Sequence, residues 1–129
     1  MEPGTGTVES INAVTLVVRT MAPAVAFYDA IGFEMVVGGG AAAFTTYRAG
    51  DGYVNLQLDP QWAPGARVWG RAIFWVDDVD AMYERVRAAG LETMTVPADA
   101  PWGERYFHVR DPDGNELSFA RPLHTAVTS

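Results

Sequence analysis

The 129-residue chain contains an internal repeat, and that repeat restricts its fold more than any single motif within it. The stretch "NAVTLVVRT" is β-branched with alternating apolar positions, which predicts a strand; "APAVAFYDAIG" predicts a helix that begins near Pro23 and stops at Gly32. Three short strands follow, "FEMVV", "AAFTTYR" and "GYVNLQL", divided by the glycine-rich turns at 38–40 and 50–52. After the breaker-rich loop "DPQWAPGA" the same order returns: strand "RAIFWV", helix "DVDAMYERVRAAG", and strands "ETMTV", "RYFHVR" and "ELSFA". Val18 to Val76 and Gly32 to Gly90 are both 58 positions apart, and Phe27 and Tyr28 are answered by Met82 and Tyr83. The hairpins "RAGDGYVNL" and "RDPDGNELS" align at an offset of 62, from Gly52 to Gly114.

A duplicated βαβββ unit implies an α+β domain spanning residues 1–129, with modules at 11–58 and 68–121. One helix covers one face of a four-stranded sheet and leaves the other bare. The expectation is therefore a curved mixed sheet whose bare faces surround a cleft. Strand parity assigns Val14, Leu16 and Val18 to the core and Ala13, Thr15 and Val17 to the cleft; in the fifth strand the cleft set is Arg71, Ile73 and Trp75.

Charge narrows the partners. Sixteen acidic side chains against nine basic ones give a net charge of -7, which opposes nucleic acid and anionic membranes. No apolar run is long enough for a membrane-spanning helix, and "MEPGTGTVES" lacks the pattern of a secretory leader, so a soluble, cytoplasmic protein is expected. The absence of cysteine excludes thiolate metal sites and a cysteine nucleophile.

The duplication, "FYDAIGF", "VDDVDAMYERVRAAG" and "DPDGNELSF" together resemble the vicinal oxygen chelate superfamily, the glyoxalase, bleomycin-resistance and extradiol-dioxygenase fold, over about residues 11–121. The resemblance implies that catalytic members bind a divalent metal at positions corresponding here to Ala13, Leu56, Arg71 and Ser118. An alanine and a leucine donate nothing, a serine hydroxyl is a weak ligand, and a guanidinium carries the wrong charge. No metal or other cofactor is therefore expected. His108 and Glu116 offer two displaced ligands where a catalytic zinc needs three, and His124 lies in the tail beyond Pro122.

Attention then falls on the rings: Trp62, Trp69, Trp75, Trp102, Tyr47, Tyr53, Tyr106 and His108. Tryptophans in Pro- and Gly-rich loops need a reason to be there; Phe27, Phe33, Phe74, Phe107 and Phe119 read as ordinary packing. The resemblance implies kinship with the antibiotic-resistance branch, whose members lack the metal residues, pair as homodimers and sandwich a drug between rings. The expected ligand-binding set is Thr15, Tyr47, Trp62, Arg71, Ile73, Trp75, Trp102, Tyr106, His108, Glu116 and Ser118, acting on an aromatic or cationic small molecule. Arg71 is either an anchor for ligand or half of an ion pair with Glu116. The alternative to sequestration is an enzyme with a displaced metal or an acid/base site at His108 and Glu116. "DPDG" reads as turn chemistry and the acids of "VDDVD" as a helix start.

Overall fold

The computed structural model describes residues 4–63 and 70–123; Trp69 and His124 lie outside them. Ten elements follow the expected order. Module 1 comprises β1 (Ala13–Val18), α1 (Met21–Ala30), β2 (Glu34–Val37), β3 (Phe44–Ala49) and β4 (Gly52–Leu58). Module 2 comprises β5 (Arg71–Trp75), α2 (Val79–Ala88), β6 (Ala98–Asp99), β7 (Glu104–Arg110) and β8 (Glu116–Pro122). Each forms its own mixed four-stranded sheet, ordered β1-β4-β3-β2 and β5-β8-β7-β6, so the curved sheet of the sequence reading is two sheets. The first and last strands of each module run parallel and the rest antiparallel.

The modules share one hydrophobic core. It runs from Leu16, Val18, Tyr28 and Tyr47 through Phe33 and Phe74 to Phe107, Leu117 and Phe119. Phe33 contacts Phe74 edge-on with centroids 5.2 Å apart, carrying the packing across the junction. Phe27, Phe33, Phe74, Phe107 and Phe119 are packing residues, as expected, whereas Phe44 is exposed. Helix α1 buries Met21, Ala24, Val25, Phe27 and Tyr28, whereas α2 buries only Val79 and Val86. The acidic start of α2 behaves as a helix N-terminus should: Asp78 accepts from the Ala81 amide at 3.0 Å.

One expected strand is displaced. Residues 92–96 are not a strand; the Met94 amide reaches the His108 carbonyl at 2.9 Å, but the His108 amide donates to the Thr95 hydroxyl instead of a backbone carbonyl. Pro97 then removes a donor, and pairing resumes only over the two residues of β6.

The "DPDG" turn does more than turn. Gly114 adopts φ +84°, as a hairpin of this shape requires. Asp111 accepts from its own loop, at the amides of Asp113 and Asn115, and from the Tyr28 hydroxyl of module 1 at 2.8 Å. Asp113 accepts from the Arg19 amide at 2.8 Å, and Asn115 donates to the Val17 carbonyl at 3.0 Å. The loop is a clasp between modules. Burial pushes the Asp111 carboxyl above its usual range despite these donors, and burial beside Asp111 pushes the Tyr28 phenol up as well.

Candidate ligand-binding site

The bare face of module 2 is a grid of three strands. β5 contributes Arg71, Ile73 and Trp75; β8 contributes Glu116, Ser118 and Ala120; β7 contributes Arg110, His108 and Tyr106. The registers Arg71↔Glu116↔Arg110, Ile73↔Ser118↔His108 and Trp75↔Ala120↔Tyr106 make three cross-strand rows.

The first row is ionic. Arg71 donates Nε to Glu116 Oε1 at 2.6 Å and its Nη2 joins the same oxygen, while Arg110 Nη2 stands 3.8 Å from Oε2. Glu116 is only 4% exposed, and the two guanidiniums supply the compensation that a buried acidic side chain needs. Of the two readings of Arg71, the ion pair is realised. Two cations on one anion leave the row with a net positive charge.

The last row is aromatic. Trp102 stacks on Tyr106 with centroids 5.9 Å apart and planes at 25°, and Tyr106 lies 5.0 Å from His108. The Trp102 indole N–H donates to Glu104 at 3.0 Å, which orients the ring while leaving it 69% exposed. Trp75 is 68% exposed and Ile73 61%; a soluble surface rarely groups such side chains without a use for them. His108 Nδ1 is buried and lacks a hydrogen-bond partner among the described residues. Burial, aided by the Arg71 charge and opposed by Glu116, lowers the His108 pKa, so the imidazole is neutral at pH 7.

Module 1 presents a different face. Asn55 donates to Thr15 Oγ1 at 3.2 Å and accepts from Thr46 Oγ1 at 2.8 Å, a polar ladder across β1, β4 and β3. Arg48 lies over Tyr53 at 5.5 Å. Trp62, whose buried indole nitrogen also has no partner among the described residues, lines a cavity of about 250 Å³ with Thr15, Val17 and Asn115.

Two sequence assignments fail here. Tyr47 is not a cleft residue: it is 0% exposed, with its hydroxyl 3.0 Å from Asp29 Oδ1, because β3 turns Thr45 and Tyr47 to the core and Thr46 and Arg48 outward. Burial and Asp29 push its phenol well above the usual range. The outward tyrosine of module 1 is Tyr53. Leu56 is likewise a core residue: it pairs with Leu16 of β1 as Phe119 pairs with Phe74 of β5, so it stands in the position of Phe119 and not of Ser118, which is itself only 3% exposed. Ala13 pairs with Tyr53 as Arg71 pairs with Glu116, and Thr15 with Asn55 as Ile73 with Ser118. The counterpart of Ser118 is Asn55. Four residues, 49–52, separate the paired Arg48 and Tyr53, whereas five, 111–115, separate Arg110 and Glu116, and one extra residue inverts the face assignment. Asn55, Thr46 and Arg110 were therefore missed. The alternation Val54, Leu56, Leu58 against Asn55 and Gln57 was the available signal.

The positions that would hold a divalent metal are thus Ala13, Asn55, Arg71 and Ser118. Ala13 and Arg71 do meet, around a groove of about 550 Å³ that Tyr53 and Ile73 also line. Their chemistry does not fit the ion: one amide and one hydroxyl are its only neutral donors, and the guanidinium is committed to Glu116. Among the described residues no three His, Asp or Glu side chains gather in a metal-holding group.

Paired βαβββ modules, each with one bare sheet face, define the architecture of a glyoxalase-type fold. The family model for the Glyoxalase/Bleomycin resistance protein/Dioxygenase superfamily matches residues 10–119, and the chain belongs to that superfamily. A mycobacterial protein named "Putative glyoxylase CFP32", from Mycobacterium bovis, is 31% identical over 105 residues, covering 77% of this chain and 39% of the relative; the chain thus spans about two fifths of that relative's length. Among solved structures, lactoylglutathione lyase from Agrobacterium tumefaciens superposes with a TM-score of 0.73 at 22% identity, covering 93% of this chain and 98% of that one. A bleomycin-binding protein complexed with bleomycin gives 0.71 at 22% identity, covering 88% and 98%. At such identities these two likenesses establish the fold.

Proposed function

We propose that the protein binds a flat, aromatic small molecule without a metal and sequesters it, as a drug-binding member of its superfamily, in clefts completed by a second copy of the chain. The observation that carries this reading is the face that joins Trp102, Tyr106 and His108 to exposed Ile73 and Trp75, with a guanidinium where the metal chemistry would need a ligand. Stacking contributes about 0.5–1.5 kcal/mol per ring beyond burial, so a few rings together with burial of the ligand against apolar walls suffice for micromolar binding. The bleomycin complex of a structural neighbour supports a small-molecule ligand. The spare positive charge of the Arg71–Glu116–Arg110 row favours a ligand with an anionic or hydrogen-bond-accepting edge over a cationic one, which shifts the expectation drawn from sequence.

Titration with bleomycin-like, mitomycin-like and enediyne-like compounds should quench tryptophan fluorescence saturably. Trp102→Ala should weaken that binding up to about tenfold with little change in stability, since the ring is largely exposed. Unchanged fluorescence with all three classes would sink the proposal. A second reading, an enzyme, draws on the names of the mycobacterial relative and the lyase. Stoichiometric metal in protein purified without chelator would favour it.

A further inference from the structure

A cavity of about 470 Å³ lies beside the aromatic face, sharing Ile73 and Trp75 with it, where the end of α1, the β3–β4 turn and β5 meet. Phe33, Phe74 and Trp75 supply its aromatic walls at the junction of the modules, and among the described residues its charged lining is Arg48 and Arg85, with no carboxylate. Arg85 reaches from α2 to the other module. Its guanidinium fills the space beside Gly32, where an added Cβ would come within 2.7 Å of Cζ and Nη1. Gly32, at φ +97°, leaves that space open and suits no other residue. The side chain of Arg85 is exposed overall, with its guanidinium resting against Gly32, and it makes no hydrogen bond and no ion pair among the described residues. Arg48 is nearly as available: it lies over Tyr53, and its ion pair with the exposed Glu34 is 3.8 Å long.

Guanidiniums with unfilled donors suit a planar oxyanion, and phenyl and indole walls suit the hydrocarbon attached to it. In a chain of net charge -7, a cavity whose charges are all positive is the place where an anion is attracted. We infer that this cavity binds an aromatic carboxylate, held by Arg85 and Arg48 through its oxygens and by Phe33, Phe74 and Trp75 through its ring. The site borders the proposed drug-binding face along β5 but takes its charge from residues that face does not use, so it stands or falls separately.

The test uses naphthoate and its uncharged analogue naphthamide, followed by amide NMR shifts at Gly32 and Gly50 and by tryptophan fluorescence. Naphthoate should shift both glycines saturably, and naphthamide should bind at least about tenfold more weakly. Arg85→Gln and Arg48→Gln should each weaken naphthoate about tenfold, while Arg121→Gln, at an exposed arginine outside the lining of this cavity, leaves it unchanged. If Arg85→Gln perturbs the fold, Arg48→Gln carries the test, because Arg48 is exposed. Equal binding of acid and amide, a loss with Arg121→Gln as large as with Arg85→Gln, or no saturation at millimolar naphthoate would each overturn the inference.

Discussion

The two modules share a backbone plan and have diverged in what they do with it. Module 1 buries half of its helix and carries a hydrogen-bonded polar ladder, Thr15–Asn55–Thr46, on its bare face. Module 2 keeps its helix largely exposed and tied by ions, with Arg105 bridging Asp80 and Asp99 at 2.9 Å each, and it carries the aromatic and ionic rows. The Arg105 fork holds the Asp80 carboxyl below its ordinary range. The backbone is fixed by patterns both copies retain, namely strand alternation and a positive-φ glycine after each helix, Gly32 and Gly90. The faces turned away from the core are free to differ, and that freedom is where binding chemistry collects.

The sharpest difference is at the two corresponding turns, and it predicts the largest effect. Asp111 of module 2 accepts from Tyr28, Asp113 and Asn115, so Asp111→Ala would strand a buried hydroxyl and several amides. We expect a loss of about 3–5 kcal/mol in urea unfolding. Asp51, in the shorter turn of module 1, is exposed, and Asp51→Ala should stay within about 0.5 kcal/mol. Equal losses at the two turns would contradict the assignment of the clasp to module 2.

A smaller effect tests the register. Leu56→Ala empties a fully buried site and should cost about 2–5 kcal/mol, whereas Asn55→Ala removes hydrogen bonds on an accessible face and should cost about 1 kcal/mol. Were the two losses reversed, Leu56 and not Asn55 would be the partner of Ser118 on the bare faces.

These contrasts also explain what was legible in the sequence. The repeat, both helices, seven of the eight strands and the parity of β1 and β5 could be read, because each rests on a local pattern. The strand at "ETMTV" could not, since its pairing is broken by a side-chain acceptor and a proline, details of the partner strand's path. Tyr47 was misplaced because a tyrosine suits either face; only its partner Asp29 on α1 decides the matter. Leu56 was misplaced by aligning the turn glycines, although the extra residue falls inside the turn. The role of Asp111 was hidden for a further reason: its partner Tyr28 is 83 residues away, and turn propensity alone accounts for an aspartate there.

The smallest prediction concerns pH and again separates the modules. His108 stands on β7 opposite Ser118, where module 1 has Thr46 opposite Asn55, so only one of the two faces titrates near neutrality. Its pKa is lowered in the fold, by burial first and by Arg71 second, with Glu116 opposing. The unfolded chain therefore takes up the proton first as pH falls, and the stabilisation held above about 6.5 is lost through the folded-state pKa. His108→Gln removes that loss while leaving the Asp111 titration in place. The Tm of the native chain should fall relative to the variant as pH drops below about 6.5, with the two parallel well above it. A native Tm that rises relative to the variant on acidification would mean that Glu116 outweighs burial and Arg71, and that the imidazole is held as a cation beside the ionic row.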